Sequence, residues 1–580
     1  MIQKITRTHA DSTGYYIING LFRTIYSHPF ITAGWLCLCC LCLSTGAVSF
    51  FGLFIPVLGI SAFGILAAVF YYLCHRDDQG IRFSIIIAVA TVLVNFLFCY
   101  WSYIKNTYSL PVMNGGLAVT AGIFLCLTAQ NKLTTRNFIL LLFAAGFIMR
   151  LSYIIYMPAS LIQHDVYYIG EGSGHSGYIE YLYHNGHLPD FDIRTVDQFY
   201  HPPLHHIIAA LWMRLQVFAG LSYENAYENI QILTLFYSTA CMIISYKIFR
   251  RLGLGESGLI AATAVIAFCP VFYIMSGSIN NDILSIAFTL GAFYNTLCWF
   301  KSRSIGRILC IALCIGLGML TKLSVWMAAP PIAFVFIYAF FSELKSFKKY
   351  IAQFAAFLGV CVPIGLFWSV RNYIRWSVPF TYVQKLSEDS YQYVGNVPIM
   401  NRLFDFSAYQ FHNTAPQFEM LGDNYNEFNP LVGFFKTSMF DEGIKLRRFV
   451  MIEGFDKILF WSSVILGIAG FAAMIYMLAK KGSVISLPIK IFIGSFYGII
   501  LVMYYYFCIE FPHVCTQNVR YGVPLIVIGA LSLGFLIQEF LKSNSAVKKI
   551  TGGVLCSVIG VFALGGYLVY NAVASSFIVF

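Results

Sequence analysis

Apolar residues along this chain gather in long runs, separated by short basic turns and by two long polar segments. The runs fall at 30–50, 52–74, 83–104 and 112–129, then at 137–157, 229–249, 257–276, 282–300, 305–321, 323–341, 350–370, 458–479, 488–508, 522–540 and 549–572. Each is long enough to cross a bilayer as a helix, and together they predict about fifteen transmembrane helices in an all-α polytopic fold. A further apolar stretch at 203–219 begins HPPLHH and contains Arg214, so it reads as a re-entrant or interface-lying helix.

Lys and Arg fix the orientation. They cluster at Arg76/Arg82, Lys132/Arg136, Lys247/Arg250/Arg251, Lys301/Arg303/Arg307, Lys345/Lys348/Lys349, Lys480/Lys481 and Lys542/Lys548/Lys549. All seven clusters are cytoplasmic at once if 203–219 does not cross. Two large segments then face outward, 158–228 and 371–457. The predicted organisation is a cytoplasmic N-terminus (1–29), a four-helix N-terminal extension (30–136), a transmembrane module (137–370) with first outer loop 158–228, an extracytoplasmic loop (371–457) whose aromatics, Tyr382, Tyr391 and Tyr393 among them, suit the acceptor side, and C-terminal transmembrane helices (458–580).

Composition narrows the class. Of 580 residues, 59% are hydrophobic and 11% charged, against about 25% charged in soluble domains, which excludes an ordinary water-soluble enzyme. An aromatic share of 17% excludes a disordered or collagen-like chain. The net charge of +11 is accounted for by cytoplasmic helix ends, so nucleic acid is not an expected partner. Most of the 16 Cys lie in apolar runs and read as small hydrophobes. Cys508 and Cys515 flank an outward turn and are a candidate bridge on an oxidising side.

Chemistry is expected in the outward segments. Segment 158–228 holds eight acids, two Arg and seven of the twelve His, the least lipid-like mixture in the chain. Asp165, in QHDVYY (163–168), follows a span end, where a carboxylate can act as general base on a hydroxyl. An ordinary loop Asp is simply solvated, but the crowding of His, Tyr and acids argues for a site. His201 and His205 share a helix face and, with Asp282, are metal candidates, although no specific ligand motif is present and interfacial filling is the reading the His favour. Asn280, Asn281 and Asp282 open a span. One helix cap explains one of them, and three exceed what a cap needs. Lys322 is outward, against the positive-inside rule, and either snorkels or meets a lipid phosphate. Arg371, Arg375 and Arg520 also stand at outer helix ends, where Arg forks suit a phosphate clamp.

The order of HDV (164–166), GYIEYLY (177–183), FYHPPLHH (199–206), SGSINNDIL (276–284) and GLGMLTKLS (316–324) resembles the GT-C superfamily of integral-membrane glycosyltransferases. It is similar in particular to the dolichyl-phosphate-mannose–protein mannosyltransferase and aminoarabinose transferase-like family, over about residues 137–572. The resemblance implies a GT-C-like catalytic module with interfacial helices in two large outer loops. It also implies inverting transfer from a polyprenyl-phosphate sugar to a glycan, lipid or protein acceptor on the extracytoplasmic face. The family's catalytic Asp corresponds to Asp165. Where many members have an acidic pair, this chain has His164–Asp165, which leaves Glu180 or Asp282 to supply a second acid. Expected substrate-binding residues are His164, Glu180, His201, Asn281, Asp282, Lys322, Arg371, Arg520 and Tyr521. No cofactor is required, with a divalent metal as the one candidate. Chains of this kind without a targeting signal fit the bacterial inner membrane. The four N-terminal spans have no counterpart in the minimal family core.

Two other readings bear on the same residues. A secondary transporter or lipid flippase would show repeated halves and polar groups near mid-membrane, whereas the acids here cluster in outer loops. A ligase or polymerase using a diphosphate lipid would want more outward cations.

Overall fold

The computed structural model describes residues 109–159, 164–411, 414, 427–441, 454–482 and 484–577. It is all-helical: among the described residues there are no strands, only an isolated bridge between Tyr393 and His513. The expected spans at 30–50, 52–74 and 83–104 lie outside the described residues. Each of the twelve others coincides with a helical stretch. Eleven stretches are long and apolar enough to cross a membrane, and Ile305–Met319 is a shorter apolar helix.

A π-turn leads into α1 (Gly116–Ala129), and α2 (Thr135–Tyr156) starts at Thr134, whose hydroxyl accepts the Asn137 N–H at 3.2 Å. The outer segment folds as α3 (Gly174–Asn185), α4 (Leu204–Phe218) and α5 (Tyr223–Glu228). α3 stops at Gly186, whose φ of 74° suits glycine. With fifteen residues, α4 extends about 22 Å, short of a bilayer core. It buries His205, His206, Ala209, Ala210 and Met213 while exposing Leu211, Leu215 and Phe218, as an interface-lying helix does.

The central bundle is α6 (Gln231–Arg251), α7 (Glu256–Phe268), α8 (Pro270–Gly277), α9 (Asp282–Ser302) and α10 (Ile305–Met319). The sequence reads 257–276 as one span, but the helix is interrupted at Cys269, because Pro270 lacks the N–H that would continue the ladder. Carbonyls left over at the break are taken by Arg150 of α2. Its guanidinium donates to Ile266 O (3.2 Å), Ala267 O (3.1 Å), Gly146 O (2.8 Å) and the Ser238 hydroxyl (2.9 Å).

After a 3₁₀ turn (Leu323–Ala328) come α11 (Ala329–Ser342) and α12 (Phe347–Trp376). α12 runs six residues past the end of the predicted span at 370, so Arg371 and Arg375 lie in its last turns and not in the following loop. Beyond it lie α13 (Ile399–Phe404), α14 (Pro430–Met439), α15 (Phe455–Ala479), α16 (Leu487–Glu510), α17 (Val523–Lys542) and α18 (Ala546–Phe577).

The bundle sorts charge by its ends. At one end Lys247 lies over the Tyr294 ring, Arg251 bonds Leu297 O, Arg307 bonds Asn295, and Lys480 pairs with Glu539. At the other, α9 begins at Asp282 and α10 returns to Lys322. A separate small core, built from Val166, Tyr178, Ile179, Phe199, Ala209, Met213 and Trp368, holds the outer segment together there.

Candidate functional site

The acid-bearing end of the bundle encloses a cavity of about 810 Å³, within the usual range for small-molecule sites. Its polar end gathers residues far apart in the chain. Asp282 opens α9, after Asn281 has been fixed by its Nδ2 donating to Thr321 O at 2.8 Å. Asn280 turns back on the same carboxylate: its Oδ1 accepts the Asp282 N–H (3.0 Å) and its Nδ2 donates to Asp282 Oδ2 (3.0 Å). The Asn–Asn–Asp run is therefore a scaffold that presents one acid, and Asn281 does not line the cavity.

Two cations converge on that acid. Lys322 Nζ bonds Asp282 Oδ1, and Arg520 Nη1 approaches Asp282 Oδ2 at 3.7 Å. The other arm of the fork, Arg520 Nη2, donates to Asp165 Oδ2 at 2.9 Å and to the Tyr521 hydroxyl at 2.9 Å. Asp282 is 2% exposed and Arg520 6%, while Asp165 is 38% exposed. Of these two carboxylates, Asp165 is the nearer to solvent. Burial pushes the Lys322 ammonium below the usual lysine range, and the adjacent Asp282 works against that shift. The Tyr521 ring lies 4.8 Å from Lys322 Nζ and 5.0 Å from the Arg520 guanidinium, a cation–π contact with each.

One wall is made by the HPPLHH segment. It is drawn to the site by the Leu204 N–H bonding Leu320 O (3.0 Å) and by Trp368 Nε1 bonding Tyr200 O (2.9 Å). His201 stacks on His175 (ring centroids 5.1 Å), and His175 Nδ1 meets His206 Nε2 at 2.9 Å. At the exposed rim stand Trp326, Phe380, Tyr506 and the Lys385–Glu510 ion pair (3.0 Å).

Of the residues expected from sequence, Asp165, His201, Asp282, Lys322, Arg520 and Tyr521 are brought together around the cavity. Four others stand elsewhere. Glu180 is held by the Gly170 N–H (2.9 Å) and the Tyr223 hydroxyl (2.7 Å) behind the outer segment, so the second acid in the cavity is Asp282. Arg371 bonds Pro189 O and Asn372, and lies over the rings of Trp368 and Trp376. It braces the outer segment and leaves Lys322 and Arg520 as the paired cations. His164 is buried and offers its carbonyl to Asn280, and Asn281 is the scaffold residue described above. His205 Nε2 is engaged with Ile279 O at 2.9 Å. Among the described residues no group of three or more His, Cys, Asp or Glu is disposed to hold a metal ion, so His201, His205 and Asp282 do not form a ligand set. Cys508 and Cys515 are free thiols.

Sequence reasoning passed over Trp368, Trp326 and the Lys385–Glu510 pair. The two Trp are camouflaged within apolar runs, and the ion pair closes across 125 residues. His175, in the outer segment, was passed over as well.

Burial, with Lys322 and Arg520 nearby, pushes His201 well below the ordinary imidazole range. Burial and the other rings do the same to His175 and His206, and His205 falls to about 4. In the unfolded chain these rings titrate near ~6.5, so below that pH the unfolded state holds more protons than the folded one. Stability is then full above about pH 6.5 and declines as pH falls. Thermal unfolding in detergent is expected to show Tm dropping on acidification from pH ~7 to ~5, less steeply in His206→Phe. A flat Tm would mean that the rings do not enter the fold uncharged.

Residues 200–368 match the family model described as dolichyl-phosphate-mannose-protein mannosyltransferase. No curated protein matches the chain by sequence. Solved structures with a similar course include ArnT from Cupriavidus metallidurans in the apo state, at 13% identity and TM-score 0.41, covering 75% of this chain and 76% of that one. Another is the archaeal oligosaccharyltransferase AglB from Archaeoglobus fulgidus, in complex with an inhibitory peptide and a dolichol-phosphate, at 12% identity and TM-score 0.43, covering 75% of this chain and 56% of that one. Likeness of that depth assigns no residue a role. Over residues 200–368, which hold the HPPLHH, SGSINND and TKLS segments, the chain is thus similar to the dolichyl-phosphate-mannose-protein mannosyltransferase family.

Proposed function

We propose that this protein is an inverting glycosyltransferase that moves a hexosyl or pentosyl group from a polyprenyl-phosphate donor to an acceptor hydroxyl on a glycan, lipid or protein. The reaction would take place on the extracytoplasmic face of a bacterial inner membrane. The observation that carries the reading is the Arg520 fork, which joins the half-exposed Asp165 to the buried Asp282–Lys322 pair at the closed end of a cavity with an aromatic rim.

The chemistry follows from that arrangement. The acceptor oxygen attacks the anomeric carbon, the bond from that carbon to the phosphate oxygen breaks, and the acceptor proton passes to Asp165. The departing phosphate monoester gains negative charge as the bond breaks, and Arg520 and Lys322 stand where they can take it up. Three carboxylates and three cations line the cavity: Asp165, Asp282 and Glu510 against Lys322, Lys385 and Arg520.

Purified protein incubated with a panel of polyprenyl-phosphate sugars should release polyprenyl phosphate from at least one of them. Release from none would reject the transferase reading in favour of transport. Arg520→Ala and Lys322→Ala should each weaken donor affinity by on the order of 10-fold or more, because each removes a charge-assisted contact. Arg371→Ala, outside the cavity, should leave donor affinity within about 2-fold of wild type. Titration of a phospholipid-like polyprenyl phosphate by tryptophan fluorescence would measure all three. Equal losses in the three variants would contradict the two-cation arrangement.

A further inference from the structure

The loop carrying Asp165 is held against its own backbone preference. His164, Asp165 and Tyr167 have φ values of 48°, 65° and 61°. Left-handed backbone is uncommon outside glycine, and for a bulky residue such as Tyr it is an outlier. It persists only where the surroundings over-determine it, and it clusters at functional sites.

The surroundings here are specific. The Tyr167 hydroxyl donates to Asp197 Oδ2 at 2.8 Å. Its ring packs against Gly174, itself at φ 72°, where a Cβ would stand 2.3 Å from a ring carbon. The Gly174 N–H bonds Asp197 O at 3.2 Å, so Asp197 ties the tyrosine and the start of α3 together. The next two amides of α3, those of His175 and Ser176, bond the carbonyls of Asp165 and Val166, each at 3.0 Å. Asp165 is thereby fixed through its carbonyl, with its carboxylate turned to the cavity and Arg520. Burial and the Asp197 carboxylate push the Tyr167 phenol upward, so it remains a donor at any working pH.

A tyrosine chosen only to fill space would need neither its hydroxyl nor a strained backbone. We propose that Tyr167 and Asp197 are positioning residues, whose hydroxyl–carboxylate bond holds the Asp165 loop in the strained form that aims the base at the acceptor hydroxyl. This rests on the reading of Asp165 as the base.

The test has two arms. With whichever donor of the polyprenyl-phosphate panel wild type turns over, Tyr167→Phe should lower kcat by about 10- to 100-fold, the scale set by a misaimed catalytic group, with donor KM unchanged. Asp197→Ala should do the same, the double variant should lose no more than either single one, and Asp197→Asn, which still accepts a hydrogen bond, should recover most of the loss. The second arm needs no activity: hydrogen exchange in detergent should show the His175 and Ser176 amides faster in Tyr167→Phe, while amides within α9 and α17 are unchanged. Wild-type kcat in Tyr167→Phe would overturn the proposal, as would unchanged exchange at both amides. If no donor is turned over, the proposed reaction fails, and the exchange arm still decides whether Tyr167 and Asp197 hold the loop.

Discussion

Asp165→Asn should reduce sugar transfer by on the order of 10²- to 10⁴-fold, the usual contribution of a positioned general base, while the protein inserts and unfolds as wild type does. The side chains are nearly isosteric, and the amide oxygen can still accept from Arg520, so the fork is kept. What is lost is the capacity to take a proton. Because Asp165 is the more exposed carboxylate of the two, the charge it loses is the one that water most readily replaces. Single-turnover release of polyprenyl phosphate, compared with the melting curve of the same sample, separates the two effects. Turnover near wild type would remove Asp165 from the proton transfer and move attention to His201, which also lines the cavity.

The second large effect is expected at Asp282, and there it is in stability. Asp282 and Lys322 are both buried and paired, with Arg520 closing on the same carboxylate. Removing one partner of such a buried pair leaves the other charge without compensation, at about 3–5 kcal/mol. Asp282→Ala strands Lys322 and half of Arg520, and also frees the Asn280 amide that donates to the carboxylate. The expected result is a sharply lower Tm and poor recovery from the membrane. The paired variant Asp282→Ala/Lys322→Met should regain a substantial part of the stability but not the full rate of transfer, since one of the two charges that meet the phosphate is gone. A single Asp282→Ala variant with the wild-type Tm would show that the lysine escapes to water and that the pair contributes little to the fold.

These two carboxylates also show what could be read from sequence. The spans were legible because a run of some twenty apolar residues has few alternatives, and so twelve of them coincide with helices. Asp165, Asp282, Lys322 and Arg520 were legible because charge next to a span is costly unless used. Their mutual distances were not, because contacts such as Arg520 to Asp165 close across 355 residues. Glu180 and Arg371 carried the same signal as Asp282 and Lys322. Only the fold separates a carboxylate tied to Tyr223 from one facing a cavity. The end of α12 was misplaced for a local reason: its last turns carry Arg371 and Arg375, and hydropathy falls there while the helix goes on.

Arg150 has a consequence for how the chain is made. A guanidinium well inside α2 is tolerable in hydrocarbon only once its four acceptors surround it, and two of them exist only because Pro270 has opened the ladder between α7 and α8. During synthesis α2 leaves the ribosome about 115 residues, or roughly ten seconds, before those carbonyls do. Over that interval Arg150 has only the Gly146 carbonyl of its own helix, so the full burial of α2 is coupled to the arrival of the broken helix. Repairing the break with Pro270→Ala would therefore reach back along the chain and show itself first as delayed insertion of α2.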